Sequence, residues 1–322
     1  MINTNTTYAS FTDFIKGKDN FLIVSHFNPD GDTLGSALAI ANILDGFSKQ
    51  YTLVNRDVVQ EKYLFLPKAT EVLLPESLVD QTFQYVITVD CADYQRIGDE
   101  VTKLLTPDVE ILNIDHHPTN TNFGSSNIVE ADAASTTFII YNLCKKLEIP
   151  LNLDIALCLY TGLMTDTGSF QYSNTNSEVH SVAAELISYG INVYEVVENI
   201  FETSSVERMV VLKKSLNTLE IDSSGKIAWL EIIQELSTKS EDIDGLVNYP
   251  RSIKGVEVAI SFKQVHDGKV RVGLRSKKYV DVSLIAMKFQ GGGHKRAAGC
   301  TIDGTVGEVK EVIVQEIKKY II

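Results

Sequence analysis

Hydrophobic patterning gives this chain two textures. In the first half, short apolar runs rich in β-branched residues at 20–25, 51–54, 85–89 and 110–114 predict buried strands. Residues 33–46, 95–105, 136–147 and 153–165 carry apolar positions at helical spacing. In 33–46 these are Leu34, Ala37, Leu38, Ala41 and Leu44, with Thr33 placed to cap the helix and Gly46 to end it. Strands alternating with helices predict an α/β fold with a doubly wound, mostly parallel sheet. Residues 177–220 read as helical, with apolar stripes through Val182, Leu186, Val193, Val196, Val197 and Ile200, interrupted at Gly190. After Gly225 the texture changes. Alternation at 226–232, 256–265 and 269–274 predicts strands, the last two joined by a hairpin turn at His266, Asp267 and Gly268. Residues 280–289 and 307–320 read as helices. The expected organisation is a doubly wound domain over 1–184, a helical connector over 185–222 and a smaller α+β domain over 223–322.

A chain of 322 residues suits two domains better than one core. No apolar stretch approaches the ~20 residues needed to cross a bilayer. The Met1 to Thr7 start has neither the basic nor the apolar region of a signal peptide. Cys91, Cys144, Cys158 and Cys300 are widely spaced, so they read as reduced, buried thiols of a cytoplasmic protein rather than a zinc site. The net charge of −13 argues against binding long duplex nucleic acid, since phosphate contacts need Lys and Arg. The distribution is uneven. Residues 250–300 carry 11 Lys and Arg against 3 Asp and Glu, a local +8 that leaves −21 for the rest. A basic island in an acidic protein suits a short phosphorylated ligand.

Candidate chemistry clusters where predicted strands end. His26, Asp30 and Asp32 follow the first strand; Asp90 follows the third; Asp115, His116 and His117 follow the fourth. Asp166 lies among Thr161, Gly162, Thr165, Thr167 and Gly168. Polar groups at the carboxyl ends of strands in an open α/β sheet converge on one crevice. Four carboxylates there repel one another strongly unless cations intervene. Two divalent cations with two neutral imidazoles would balance the charge, so the pattern asks for a two-metal site. Oxygen and imidazole donors without thiolate favour Mn²⁺, with Co²⁺ able to substitute. Mg²⁺ is less suited, because it prefers oxygen and keeps its waters. In the basic island, Gly291, Gly292 and Gly293 precede His294, Lys295 and Arg296. Backbone N–H groups of such a turn form an anion nest. His180, on a helix, reads as structural, and Trp229, on a strand, as core.

These segments together resemble the DHH phosphoesterase superfamily. The stretch from His26 to Ser36 is similar to its first motif, Val89-Asp90 to its second, Asp115-His116-His117 to the tripeptide that names it, and 161–168 to its fourth. Residues 291–299 resemble the substrate-binding signature of the DHH-associated C-terminal domain, and the whole is most similar to the stand-alone nanoRNase branch. The resemblance implies that His26, Asp30 and Asp90 hold one cation and that Asp32, Asp90, His116 and Asp166 hold the other. It implies that Asp115 orients a histidine through its ring N–H, and that His117 lies beside the substrate phosphate as a catalytic group. It assigns phosphate binding to Arg275, through a forked pair of hydrogen bonds, and to Ser276, Gly292, Gly293, His294 and Lys295. The implied reaction is hydrolysis of RNA of about two to five nucleotides to mononucleotides, and of 3′-phosphoadenosine 5′-phosphate (pAp) to AMP. The alternatives are a linear or cyclic dinucleotide phosphodiesterase, a family II-like inorganic pyrophosphatase and a nucleotide-binding sensor module. Expected partners are short RNA and small phosphorylated nucleotides, with no membrane and with a homodimer left open.

Overall fold

The computed structural model describes residues 8–233, 245–265 and 268–321. The segment before Tyr8, and His266 and Asp267 of the predicted hairpin turn, lie outside the described residues. The chain divides into two compact units, Met1–Thr203 and Ser204–Ile322.

Unit 1 runs α1 (Ala9–Ile15), β1 (Phe21–Ser25), α2 (Gly31–Gly46), β2 (Tyr51–Val54), β3 (Phe83–Val89), α3 (Asp99–Thr102), β4 (Leu105–Asp115), β5 (Ser126–Val129), α4 (Thr136–Lys146), α5 (Leu153–Asp166), α6 (Ser177–Ile187) and α7 (Val193–Phe201). The sheet order is β2-β1-β3-β4-β5, and every pair is parallel. All five residues of β1 are buried, the continuous apolar run of a parallel strand covered on both faces. This order reverses direction between β1 and β3, and such a sheet opens its crevice there, beyond the strand carboxyl ends.

Local chemistry moves some predicted boundaries. Helix α2 begins at Gly31, not Thr33, because Asp30 is its cap: Asp30 Oδ1 accepts from the N–H groups of Asp32 (3.1 Å) and Thr33 (3.0 Å). The helix expected over 95–105 is broken. A 3₁₀ turn, Tyr94–Ile97, stops at Gly98, whose φ of +94° no helix interior accepts; α3 follows, and Leu105 already belongs to β4. Strand β5, unpredicted, is a four-residue edge strand.

The segment 177–220 is shared between the units. Val182, Leu186 and Val196 of α6 and α7 pack into the unit 1 core, and Gly190, with φ +101°, lies between those helices. The third helix, α8 (Val206–Leu216), belongs to unit 2, where Val211 packs with Leu230, Ile232 and Leu246.

Unit 2 continues with β6 (Glu220–Ile221), β7 (Ile227–Ile232), α9 (Asn248–Ser252), β8 (Val258–Val265), β9 (Lys269–Ser276), α10 (Val282–Lys288), β10 (Gly292–His294), β11 (Ala297–Asp303) and α11 (Val306–Lys318). Its sheet, β10-β11-β9-β8-β7-β6, is antiparallel except at the β7–β8 pair. Trp229 is in the core, with Ile285, Ile313 and Ile317 of the covering helices. The glycine run is not the open turn its composition suggests. Gly292 and Gly293 form β10, paired with Gly299 and Ala298, and Lys295 and Arg296 make the two-residue turn. A Cβ on Gly293 would sit 2.5 Å from the Ala297 carbonyl oxygen, so glycine is what lets the strands close. Among the described residues no helix is long and apolar enough to cross a membrane, and all four cysteines are free and buried.

Candidate metal centre

The ends of β1, β3 and β4 bring the predicted acids and imidazoles of unit 1 together. His26, Asp30 and Asp90 form one group, Asp32, His116 and Asp166 a second, and Asp90, Asp115 and His117 a third; within each, ligand-type atoms lie within 4.8 Å of one another. Asp90 joins them. Its Oδ2 is 3.3 Å from His26 Nε2, and its Oδ1 is 3.7 Å from His116 Nε2 and 3.6 Å from His117 Nδ1. Its backbone, at the end of β3, has φ +59° while its N–H donates to Ile114 O at 2.9 Å. A non-glycine residue in the left-handed region carries strain, which collects at functional sites.

Each imidazole has its orientation set from behind. His26 Nδ1 donates to Phe27 O (2.7 Å) and His116 Nδ1 to Ala133 O (3.2 Å). Both Nε2 atoms therefore face the carboxylates, with His116 Nε2 3.8 Å from Asp32 Oδ2 and from Asp166 Oδ2. His117 Nδ1 donates to Asp115 Oδ1 at 2.7 Å, and Asp115 Oδ2 accepts from Asn120 Nδ2 at 2.6 Å. Asp115 thus orients His117, its neighbour but one.

Three threonines and a helix terminus hold the acids, through contacts that sequence reasoning passed over. Asp32 lies at the N-terminus of α4, where its carboxylate accepts from the N–H of Thr136 (2.7 Å), the N–H of Thr137 (2.9 Å) and the Thr137 hydroxyl (2.7 Å). Helix N-termini favour such an anion. The Thr136 hydroxyl donates to Asp90 Oδ1 (3.0 Å). Thr33 Oγ1 lies 2.7 Å from His26 Nε2, 2.9 Å from Asp30 Oδ1 and 2.8 Å from Asp90 Oδ2. The run Ser135-Thr136-Thr137 opening a helix was the available signal, since Ser135 is its cap. Arg96 was also missed; its Nη1 donates to His117 Nε2 at 3.3 Å.

The electrostatics show an excess of negative charge. Burial and the neighbouring Asp90 push the Asp32 carboxyl up to about 6, against the pull of His116. Burial, reinforced by Asp32, raises Asp166 well above the usual carboxylate range. Burial disfavours a charged His116, but Asp166, Asp32 and Asp90 outweigh it and raise the imidazole to about 9. Asp90 is held well below its ordinary value although burial opposes this, because His26 bonds it and His117 and His116 add their charge. Crowded carboxylates that retain protons are a set that divalent cations would relieve.

In unit 2, β9 and β11 run in register with Ala297 opposite Arg275, so Arg275, Ser276, His294 and Lys295 gather at one end of that sheet. Ser276 is buried and its hydroxyl donates to Val280 O (2.7 Å). The Arg296 guanidinium is spent on the Val280 and Lys278 carbonyls. Arg275 Nη1 donates to Leu274 O (3.0 Å).

Comparison with known proteins places both units in families. The DHH family, N-terminal domain model matches residues 20–163, and the DHHA1 domain model matches 224–322. The bifunctional oligoribonuclease and PAP phosphatase NrnA of Thermus thermophilus is 32% identical over 285 residues, covering 88% of this chain and 84% of that protein. The chain belongs to the DHH family. The protein of the same name from Bacillus subtilis is 27% identical over 296 residues, with 88% of this chain and 90% of the relative covered. Among solved structures, an exopolyphosphatase-related protein from Bacteroides fragilis superposes with a TM-score of 0.86 at 26% identity, covering 97% of this chain and 96% of that one. Asp115, His116 and His117, at the end of β4 and just beyond it, lie within the range that the DHH model matches.

Proposed function

We propose that this DHH protein is a two-cation phosphoesterase that hydrolyses short RNA to mononucleotides and pAp to AMP. The observation that carries the reading is the joining of the His/Asp groups through Asp90, in a chain whose relatives bear the oligoribonuclease and PAP phosphatase name over most of their length. The donor set fits the cations: His26 and His116 have spent Nδ1 on carbonyls and aim Nε2 inward, beside carboxylates raised by burial and by their acidic neighbours. In this reading His26, Asp30 and Asp90 hold one ion, and Asp32, Asp90, His116 and Asp166 the other. Hard oxygens with two imidazoles and no thiolate favour Mn²⁺. Such a pair of ions supplies hydroxide near neutral pH and neutralises phosphoryl oxygens.

The protein's own groups do the rest. Asp115 keeps the Nδ1 proton on His117 and fixes that ring beside the position of the substrate phosphate. The threonine hydroxyls and the α4 terminus fix the carboxylates, so little reorganisation accompanies the reaction. In unit 2, Arg275 and His294 with Lys295, Ser276, Gly292 and Gly293 offer the cationic and polar groups for a nucleotide phosphate. Buried free thiols support a reducing, cytoplasmic setting.

The test is a substrate panel with Mn²⁺: labelled RNAs from dinucleotides to about two dozen nucleotides, pAp, pyrophosphate and cyclic di-AMP, compared by kcat/KM. The reading expects dinucleotides and pAp to lead. Asp90→Ala and His116→Ala should abolish turnover in a protein that still folds by circular dichroism. Arg275→Ala should raise KM for 5′-phosphorylated dinucleotides more than for unphosphorylated ones. Preference for pyrophosphate, or no turnover of any substrate, refutes the reading.

A further inference from the structure

One cation near the cluster is unused by the scheme above. Arg96 closes the 3₁₀ turn Tyr94–Ile97, six residues beyond Asp90. Its backbone is pinned from two sides. The Asp93 side chain caps the turn by accepting from the N–H of Gln95 (2.9 Å) and of Arg96 (3.1 Å). The Arg96 carbonyl accepts from the N–H of Phe27, next to His26, at 3.3 Å. The guanidinium, half-buried, reaches His117 Nε2 with Nη1. Among the described residues no carboxylate lies within ion-pair distance of it, although Asp90, Asp115 and Asp93 are all close in the fold. Every other acid of the centre is engaged by a histidine, a threonine or a helix terminus. An arginine fixed at an acidic centre yet paired with none of its acids keeps most of its five donors for another anion.

Its contact with His117 sharpens the assignment. Nη1 can only donate, so His117 Nε2 accepts, consistent with the Nδ1 proton lying on the Asp115 side. With a phosphate beside His117, a guanidinium already next to Nε2 needs to turn only its free N–H groups to meet a phosphoryl oxygen.

We propose that Arg96 is a catalytic residue of unit 1 that hydrogen-bonds a non-bridging oxygen of the scissile phosphate, adjacent to His117. The assignment rests on the phosphoesterase reading above. Arg96 exchanges no proton. A water oxygen bonds to phosphorus as that water gives up a proton, the bond from phosphorus to the leaving oxygen breaks, the leaving oxygen takes up a proton, and the guanidinium holds the charge that gathers on the equatorial oxygens. A planar fork suits this task better than an ammonium.

The experiment compares wild type, Arg96→Gln and Arg96→Lys on pAp and on an RNA dinucleotide, with added guanidinium ion as a rescue arm. Mn²⁺ binding by calorimetry and urea unfolding are followed in parallel. The expected result is a fall in kcat of about 10²–10³-fold for Arg96→Gln. Arg96→Lys should recover part of this, and millimolar guanidinium should partly restore Arg96→Gln alone. Cation stoichiometry and affinity, and the unfolding midpoint, should stay at wild-type values. Arg96→Gln within threefold of wild-type kcat overturns the proposal. So does a loss that follows weakened Mn²⁺ binding or lowered stability and is not rescued by guanidinium, since that is a structural role. A wild-type protein inactive on both substrates defeats the phosphoesterase reading instead, and the two failures are distinguishable.

Discussion

Adding one methyl group at Gly162 should damage both stability and cation binding, although an alanine in a helix is normally an improvement. Gly162 lies in the interior of α5, where replacing Gly by Ala on its own gains ~1 kcal/mol. The new Cβ would lie 2.7 Å from Thr137 Oγ1 and 2.9 Å from Asp32 Oδ1, and would run into Thr137 Cγ2. Carbon atoms rest at ~3.5–4.0 Å. Thr137 cannot turn aside freely, because it is β-branched and its hydroxyl donates to Asp32 Oδ1 at 2.7 Å. Either that bond to a charged group is lost, at ~1.5–3 kcal/mol, or α5 is forced from α4, an overpacking cost of ~1–3 kcal/mol. After the propensity gain, the net expectation is a loss of up to ~2 kcal/mol. Asp32 is one of the proposed cation donors, so its displacement should also weaken Mn²⁺ binding by about 10–100-fold. Gly46→Ala is the control. It ends α2 with nothing within 4 Å of its Cβ position, and it should stabilise by up to ~1 kcal/mol. Denaturant unfolding of the chelated protein and calorimetric Mn²⁺ titration read the two effects. A Gly162→Ala protein as stable as the Gly46→Ala control, with wild-type cation affinity, would show that α5 does not press on Thr137 and Asp32.

Stripped of divalent cations, the protein should lose stability as pH rises from about 4 to about 9. Asp32, at about 6, and His116, at about 9, both bind protons more tightly folded than unfolded, and so do Asp166 and His26. Between the ordinary and raised values the folded state holds more protons, and stability then falls with pH. Asp90, lowered, contributes loss only below the ordinary carboxylate value. Urea midpoints in chelator across that range test this, and a midpoint that climbs with pH contradicts it. Thr136→Val removes the hydroxyl that donates to Asp90 but keeps the N–H that serves Asp32; about 10–100-fold weaker Mn²⁺ binding with little change in unfolding is expected, and unchanged affinity dismisses that hydroxyl. Glu257, buried, accepts from the N–H groups of Lys278, Tyr279 and Val280. Glu257→Ala orphans these donors and should cost ~3–5 kcal/mol by denaturant unfolding, and a cost under about 1 kcal/mol would mean water replaces the carboxylate.

Much of the fold is legible in the residues themselves. Strand β1 is a continuous apolar run because both faces of a parallel sheet are covered there, and it and β2 lie where composition places them. The misreadings have local causes. Apolar spacing over 95–105 looks helical, but Gly98 must adopt a positive φ, and the chain turns into β4. Four residues of edge strand, β5, carry too short a pattern to stand out. The run Gly291 to Gly293 looks like a flexible turn, yet its lack of side chains serves close strand pairing.

The sequence by itself singled out the acids and imidazoles that unit 1 brings together, since side chains of these types stationed after buried strands have few other reasons to recur. Only the tertiary structure decided which atoms meet. Thr136 lies 104 positions from Asp32, yet the N-terminus of its helix closes on that carboxylate. Arg96 and His117 are brought side by side in the same way. Periodicity reports the environment of one segment at a time, whereas these contacts follow from the strand order and from how tightly α2, α4 and α5 pack across it. Placing one buried charge against a partner a hundred residues away is therefore a property of the assembled sheet and helices, not of any stretch of chain read alone.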